Sequence, residues 1–288
     1  MLRLFWIMAV GAALAWLAVL AIAWQAARRH RQPVRDARWL ILVAGIVTPT
    51  LVLGALLAYG LLLMPQLRAA VPADALRIEV SGEQWWWRVR YRNAGFETAN
   101  EIHVPVGRPI AFTLDSPDVI HSFWVPALAG KMDMIPGRRN TLVLQADKPG
   151  TYRGACAEFC GASHAQMRLL VVAMPPAAFA AWSRAQAAPA GAPASGLATQ
   201  GRAAFLRNGC GACHTVRGTP ASGRVGPDLT HVGSRKELAA GALPNNADAM
   251  QRWIRAPHAT KPEALMPRFD MLPADELRAI ATWLQGLQ

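Results

Sequence analysis

Two short segments of this 288-residue sequence concentrate all of its cysteines, and each segment also carries a histidine. The two sets are Cys156, Cys160 and His164, and Cys210, Cys213 and His214. No other cysteine is available to build a disulfide framework. Metal or haem chemistry is therefore the first interpretation of both pairs.

The first segment, residues 156–167, brings two thiols, an imidazole and the thioether of Met167 within twelve residues. Soft sulfur ligands select copper, zinc or iron–sulfur clusters, and an added imidazole with a weak methionine ligand favours copper. Two thiolates can bridge two copper ions, each of which then needs a terminal imidazole. His164 supplies one, and His121 is the best candidate for the other. The alternative is a disulfide between the two cysteines in an oxidising compartment, with an incidental histidine.

The second segment, CGACH at residues 210–214, is typical of covalent attachment of a c-type haem. The two thiols add to the haem vinyl groups, and His214 binds the iron from one side. The other side needs a sulfur ligand, for which Met266 is the first candidate and Met271 and Met250 are weaker ones. A redox dithiol would not require His214, and a zinc site of the usual kind lacks its second cysteine pair.

The net charge of +12 is unevenly distributed along the chain. Residues 1–71 contain seven arginines and a single acidic residue, Asp36, which accounts for half of the total. No later region shows a basic stripe interleaved with stacking aromatic residues. The charge therefore argues against nucleic-acid binding and indicates membrane topology instead.

Two apolar runs, from Leu4 to about Trp24 and from Trp39 to about Leu63, are long enough to cross a bilayer as helices. The arginine-rich stretch between them predicts a cytoplasmic loop. Both ends of this hairpin, and everything that follows it, then lie on the outer side. The alternative is that the first run is a cleaved signal peptide, for which Ala21 to Ala23 offers a cleavage site.

The elements around the two cysteine segments differ in kind. Residues 72–175 contain short β-rich stretches, which predict an all-β sandwich or barrel. Examples are Leu76–Val80, Trp85–Tyr91, Glu101–Val104, Ile110–Leu114, Thr141–Gln145 and Met167–Val172. Residues 176–198 predict a linker, flexible from Ala187 to Gly196. Residues 199–288 show helical patterns at Gly201–Asn208, Ala247–Arg255 and Pro273–Leu287.

These motifs resemble those of two known families. The segments CAEFCGASHAQM, HSFWVPALAGKMDMIPGR and GEQWWW resemble cytochrome c oxidase subunit II over about residues 1–175. Residues 199–288, with CGACH and Gly226-Pro227-Asp228-Leu229, resemble a class I cytochrome c. The resemblance implies a multidomain membrane protein with a two-helix transmembrane hairpin (1–71), an all-β cupredoxin-like domain (72–175) and an all-α cytochrome c domain (199–288).

The resemblance also implies roles for particular residues. Cys156 and Cys160 would bridge a dinuclear copper centre of the CuA type. The other copper ligands would be His121, His164, Met167 and the Glu158 carbonyl. The Glu158 carboxylate would contribute to a magnesium site shared with subunit I, where Lys131, Asp133 and Arg138 would also lie. Trp85 would be the point of electron entry, and the Pro227 carbonyl would orient His214. A proton-channel role for Asp36 is doubtful because it precedes the second span.

A subunit II fused to cytochrome c resembles the caa3-type haem–copper oxidases. The implied partners are subunit I, subunit III and an upstream cytochrome c or bc1-type donor, at the bacterial inner membrane, with both cofactor domains outside. The chain would be the electron-entry subunit of an oxidoreductase. Another subunit of that enzyme would reduce oxygen, and this reaction would be coupled to proton pumping. The alternatives are the corresponding subunit of a copper-containing nitric oxide reductase and a membrane-anchored copper-delivery protein.

Overall fold

The computed structural model describes residues 2–28, 37–67 and 71–288 of the chain. These residues form two compact units, Met1–Ala69 and Ala70–Gln288. The arginine-rich loop and Asp36 lie outside the described residues.

The first unit consists of two long apolar helices. Helix α1 spans Leu2–Arg28, and the second helical run comprises α2 (Ala37–Leu40), a π-helical segment (Ile41–Val47) and α3 (Thr48–Leu67). The windows Phe5–Arg28 and Ile41–Met64 are long and apolar enough to cross a membrane, and neither is buried inside the structure. A bilayer would cover this exposed apolar surface. The prediction of two long apolar helices is confirmed.

Residues 72–175, here called the β domain, form a sandwich of two five-stranded sheets. The strands are β1 (Leu76–Glu83), β2 (Trp86–Tyr91), β3 (Phe96–Ala99), β4 (Glu101–Pro105), β5 (Ile110–Asp115), β6 (His121–Trp124), β7 (Met132–Met134), β8 (Asn140–Leu144), β9 (Gly150–Cys156) and β10 (Arg168–Met174). The sheet orders are β3-β2-β1-β5-β8 and β4-β10-β9-β6-β7. Pairing is antiparallel except for β1 with β5 and β4 with β10.

Aromatic side chains from both sheets fill the interior of the β domain. Trp87 of β2 packs edge-on against Phe123 of β6, with ring centroids 5.7 Å apart, and Phe112 of β5 lies 5.2 Å from the same ring. All three are fully buried. Large aromatic rings bury more apolar surface than any other side chains, so this cluster holds the sheets together. The predicted all-β fold is confirmed.

Residues 199–288, here called the C-terminal domain, are mainly helical. The helices from the end of the β domain onward are α4 (Pro176–Ala187), α5 (Gly196–Arg207), α6 (Ala247–Arg255), α7 (Pro257–Thr260) and α8 (Ala274–Gln285), with a small ribbon of β11 (Glu237–Leu238) and β12 (Leu243–Pro244). Ser195 caps α5 by accepting the Ala198 amide. Phe205 of α5 packs against Trp283 of α8 at 5.0 Å, which anchors the two terminal helices to each other.

The segment between the two domains makes more contacts than its composition predicts. In α4, Trp182 stacks on His103 of the β domain with centroids 4.1 Å apart. The Ala188 carbonyl lies 3.0 Å from the His231 ring nitrogen, and the Ala190 amide donates to the Arg217 carbonyl. The structure thus gives this alanine- and proline-rich stretch specific hydrogen-bond partners in the C-terminal domain.

Candidate copper and haem sites

The first candidate site lies at one end of the sandwich, where β6, β9 and the β9–β10 loop meet. His121 is the first residue of β6, and Cys156 is the last residue of β9. The two strands are paired, with Phe123 opposite Cys156. A Cβ atom on Gly82 of β1 would lie 2.9 Å from the His121 ring, so only glycine lets the imidazole lie this close to β1. Strand pairing therefore brings His121 to the cysteine loop.

Each thiol of this site faces one imidazole. The distance from Cys156 Sγ to His121 Nδ1 is 3.8 Å, and the distance from Cys160 Sγ to His164 Nδ1 is 3.5 Å. The sulfur atom of Met167 lies 3.8 Å from Cys160 Sγ. The Glu158 carbonyl oxygen lies 3.2 Å from Cys156 Sγ. The structure thus brings together all six residues that the sequence nominated as copper ligands.

The two cysteines do not form the disulfide that was the alternative interpretation. Their sulfur atoms are 3.8 Å apart, whereas a disulfide bond is about 2.05 Å long. The hydrogen bond between the two sulfur atoms lowers the pKa of Cys156 and raises the pKa of Cys160, because the Cys160 thiol donates its proton to the Cys156 thiolate. Both thiols, and the His121 ring, are buried, and their ligand atoms lie within 4.8 Å of one another.

Asp118 supports His121 from the side away from the cysteines. Its carboxylate lies 2.8 Å from His121 Nε2, which leaves Nδ1 directed at Cys156. Burial lowers the pKa of His121, but the hydrogen bonds to Asp118 and Cys156 outweigh it and raise that pKa to about 9. A carboxylate behind a metal-binding histidine fixes its tautomer and orientation. The sequence analysis missed Asp118, although its position three residues before His121 could have suggested it.

Trp85 lies directly beneath the cysteine loop. Its indole nitrogen donates to the Cys160 carbonyl at 2.9 Å, and the Gln84 amide donates to the same oxygen at 2.8 Å. Trp85 is 5% exposed. Trp87, its neighbour in the tryptophan run, belongs to the interior packing described above. Trp85 is therefore the tryptophan of this run whose hydrogen bond reaches the cysteine loop.

The acidic and basic residues assigned to a subunit interface cluster near the same loop. Lys131 Nζ lies 3.2 Å from both the Asp133 and the Glu158 carboxylates. About half of each of these three side chains is exposed, and Arg138 is exposed as well. The Glu158 carboxylate thus points away from the thiols, while its carbonyl faces them.

The second candidate site is formed by the CGACH segment and the loop at residues 225–229. The Pro227 carbonyl lies 2.8 Å from His214 Nδ1, as the resemblance implied. A Cβ atom on Gly226 would lie 2.4 Å from the His214 ring, so glycine is required for this contact. Burial lowers the pKa of His214. The ring is thus held neutral, with Nδ1 occupied as a donor and Nε2 available for a metal.

Burial raises the pKa of the Cys210 thiol to about 11. A covalent thioether places no demand on the resting pKa of the thiol.

The three candidate methionines occupy different environments. Met250, on α6, is 2% exposed within the core of the C-terminal domain, and Met271 is 71% exposed. Met266 is partly buried against the same core. Met250 therefore has a packing role, and Met266 combines access with a fixed position. The donor sets of both sites fit the groups that the sequence nominated: sulfur with imidazole for copper, and paired thiols with an adjacent imidazole for haem c.

The fold and the two sites define a class: membrane-anchored proteins that join a cupredoxin-like β domain to a cytochrome c-like helical domain. Residues 94–174 match the family model described as cytochrome c oxidase subunit II, periplasmic domain, and residues 198–288 match the model described as cytochrome c. The chain is thus similar to cytochrome c oxidase subunit II within its β domain and to cytochrome c over its C-terminal domain. These two domains suggest binding of copper and haem c.

Two relatives named cytochrome c oxidase subunit 2 are similar to this chain over most of its length. The chain is 40% identical over 215 residues to cytochrome c oxidase subunit 2 of Alkalihalophilus pseudofirmus, covering 75% of this chain and 62% of the relative. It is 31% identical over 225 residues to the protein of the same name from Bacillus subtilis, covering 75% and 63%. The matched region thus spans about three fifths of the length of these relatives.

A solved structure is similar to part of this chain. The crystal structure of the periplasmic domain of subunit II of cytochrome oxidase from Bradyrhizobium japonicum is 34% identical, with a TM-score of 0.39. The match covers 41% of this chain and 96% of that one.

Proposed function

We propose that this chain is the electron-entry subunit of a terminal oxidase of the caa3 type. Electrons would pass from an upstream cytochrome c or bc1-type donor through its own haem c and a dinuclear copper centre to subunit I, where oxygen is reduced to water with proton pumping. The observation that carries the proposal is the pairing of each thiol with one imidazole, at 3.8 and 3.5 Å, in the same compact unit as a CGACH segment.

The proposed copper ligands follow from the distances at the first site. They are Cys156 and Cys160 as bridging thiolates, His121 and His164 as terminal ligands, and Met167 and the Glu158 carbonyl as weak ligands. Two copper ions bridged by thiolates share one electron and so change their geometry little on electron transfer. Asp118 holds His121 in the tautomer that directs Nδ1 at the thiols, and the β6–β9 pairing keeps that imidazole in place.

The proposed haem ligands follow from the second site. Cys210 and Cys213 would form the two thioether bonds, with His214 and Met266 as the ligands of the iron. A haem c in this position would accept and release one electron at a time. The Pro227 carbonyl orients His214, and the burial of that ring keeps it neutral at physiological pH.

Trp85 is the proposed point of electron entry to the copper site. Its indole hydrogen bond to the Cys160 carbonyl provides a direct connection to a bridging ligand. The Glu158 carboxylate, which is half-exposed beside Lys131 and Asp133, is proposed to reach a magnesium ion shared with subunit I.

The proposed organisation of the chain is a membrane hairpin at 1–71, a copper domain at 72–175, a linker at 176–198 and a haem domain at 199–288. The hairpin would anchor the chain in the bacterial inner membrane beside subunits I and III, with both cofactor domains on the outer side. The apolar exposed helices and the match to a periplasmic domain support this placement.

The test is to purify the full chain with its membrane partners after haem maturation and copper loading. Optical and paramagnetic resonance spectra are expected to show a low-spin c-type haem and one electron shared by two equivalent copper ions. Turnover with oxygen would support the oxidase, and turnover with nitric oxide alone would identify the reductase alternative. Haem with no copper, or with copper that exchanges freely, would replace the proposal by a delivery role.

A further inference from the structure

Lys261, on the C-terminal domain, is buried at the contact with the β domain. Lys261 comes directly after α7 in the chain and is 3% exposed. The ammonium group donates to the Trp85 carbonyl and, at 3.3 Å, to the Ala239 carbonyl. Burying an ammonium group is costly unless its donors find acceptors, and here backbone carbonyls of both domains provide them.

The next residue along the chain makes a second contact with the cysteine loop. The Ser163 hydroxyl donates to the Pro262 carbonyl at 2.6 Å, and Ser163 is fully buried. Lys261 and Pro262 thus contact residues on both sides of Cys160, namely Trp85 beneath the loop and Ser163 within it. The segment at residues 261–262 covers the face of the β domain on which Trp85 lies.

The rest of the interface is polar and spread over several segments. The Arg88 guanidinium donates to the Arg224 carbonyl at 2.9 Å, and the Glu101 carboxylate accepts the Lys236 amide at 2.9 Å. Additional contacts join Arg153 to Glu237 at 3.1 Å and the Arg168 amide to the Ala240 carbonyl at 3.0 Å. Such a set of specific contacts is expected of one docked arrangement.

We propose that Lys261 is a positioning residue that latches the C-terminal domain onto the Trp85 face of the β domain. This inference rests on the proposed function and deepens it. The latch holds the haem-bearing domain in one docked position, and the chain's own domain covers the face over Trp85. A soluble donor protein therefore reaches the C-terminal domain and not the Trp85 face.

A latch and a linker predict different ranges of position for the C-terminal domain relative to the β domain. The latch predicts a narrow range, whereas a flexible tether alone predicts a broad one. A linker raises the local concentration of one domain at the other without selecting an orientation. Hydrogen bonds to a charged group are worth about 1.5–3 kcal/mol, which corresponds to a change of roughly 10- to 100-fold in an equilibrium. Removal of the ammonium is therefore expected to lower the ratio of docked to undocked chain about 10- to 100-fold.

The test uses the full chain loaded with copper and haem, and compares Lys261→Met with Lys236→Met. Lys236 is the matched control because its side chain is exposed, and because only its backbone amide, which the substitution keeps, contacts the β domain. Pulsed paramagnetic resonance between the haem iron and the copper centre is expected to give one narrow distance distribution for the original chain and for Lys236→Met. Lys261→Met is expected to broaden it. Electron transfer from haem to copper after photochemical reduction should slow in Lys261→Met alone, with both reduction potentials unchanged.

An unchanged distance distribution and an unchanged transfer rate in a fully loaded Lys261→Met chain would overturn the latch. If that variant does not load its cofactors, Lys261→Arg keeps the positive charge but changes the reach of the donors to the Trp85 carbonyl, and it should broaden the distribution as well. A narrow distribution in a loaded Lys261→Arg chain would equally overturn the latch. Absence of the copper or haem signals from the original chain would instead contradict the proposed function, so the two failures are distinguishable.

Discussion

The two candidate sites are built in opposite ways. The copper site takes its donors from the start of β6, the end of β9 and the following loop, so that 35 residues separate His121 from Cys156. The haem site takes both thiols and one imidazole from five consecutive residues. The first site therefore depends on long-range strand pairing, and the second depends mainly on a local motif that the Pro227 loop orients.

The supporting residues show the same difference. His121 is held by a carboxylate, Asp118, whereas His214 is held by a backbone carbonyl. In both cases a glycine lies against the ring, Gly82 for His121 and Gly226 for His214. The side-chain carboxylate of Asp118 can be removed by a substitution, whereas the backbone carbonyl of Pro227 cannot. We therefore expect the candidate copper site to be more sensitive than the candidate haem site to single substitutions beside its histidine.

Cys156→Ser is expected to have the largest effect on the candidate copper site while leaving the candidate haem site unchanged. Removal of one bridging thiolate leaves a ligand set that cannot hold two copper ions symmetrically, because a hydroxyl is a much harder ligand. Paramagnetic resonance should lose the shared-electron signal completely, while the haem optical spectrum stays unchanged. Ala157→Ser, which adds a hydroxyl to the same loop, is the control. A shared-electron signal that persists in Cys156→Ser would contradict the assignment.

The converse change is Met266→Ala, which should disturb the haem and spare the copper. Loss of the sulfur ligand changes the axial field of the iron, so the optical and magnetic circular dichroism spectra should lose their iron–methionine features. Met271→Ala is the matched control, since its side chain is 71% exposed. If Met271→Ala alters the haem spectrum and Met266→Ala does not, the axial role belongs to Met271.

A smaller effect is expected from Asp118→Asn, which keeps the shape of the side chain but removes its charge. Loss of a supporting carboxylate typically lowers metal affinity about 10- to 100-fold. Competition titration with a copper chelator measures that change. Asp147→Asn alters an exposed carboxylate that is hydrogen-bonded to Gln145 and should leave the affinity unchanged. Equal affinities for the two variants would show that Asp118 does not support His121.

The smallest effect is expected from Ser195→Ala at the start of α5. Loss of the hydrogen bond to the Ala198 amide should lower the free energy of unfolding of the C-terminal domain by about 1 kcal/mol. Urea unfolding followed by haem absorbance measures it, and Ser195→Thr should retain most of the stability. A matching decrease in the copper signal at the same urea concentration would show that the two domains unfold together.

The sequence predicted the strands that carry long apolar or β-branched runs, and missed those that do not. The six stretches named as examples correspond to six of the ten strands of the sandwich, and β3, β6, β7 and β9 were not among them. Strand β7 has three residues, and β9 begins with Gly150 and is exposed over much of its length. Such strands form because their neighbours offer hydrogen-bond partners, and that information is not local.

The candidate ligands were predictable because their chemistry is unusual in so short a span. Lys261 was not, because an isolated lysine is ordinary in any sequence. It acquires its significance from Trp85, a residue distant along the chain whose carbonyl accepts from it.

Residue types and spacing alone therefore predicted the two apolar helices, the division into a β-rich and a helical region, and the two candidate metal-binding segments. Only the tertiary structure decided that His121 faces Cys156, that the two thiols stay 3.8 Å apart without a bond, and that the C-terminal domain covers Trp85. The physical reason is that ligand chemistry resides in single side chains, whereas distances between side chains depend on the pairing and packing of strands far apart in the sequence.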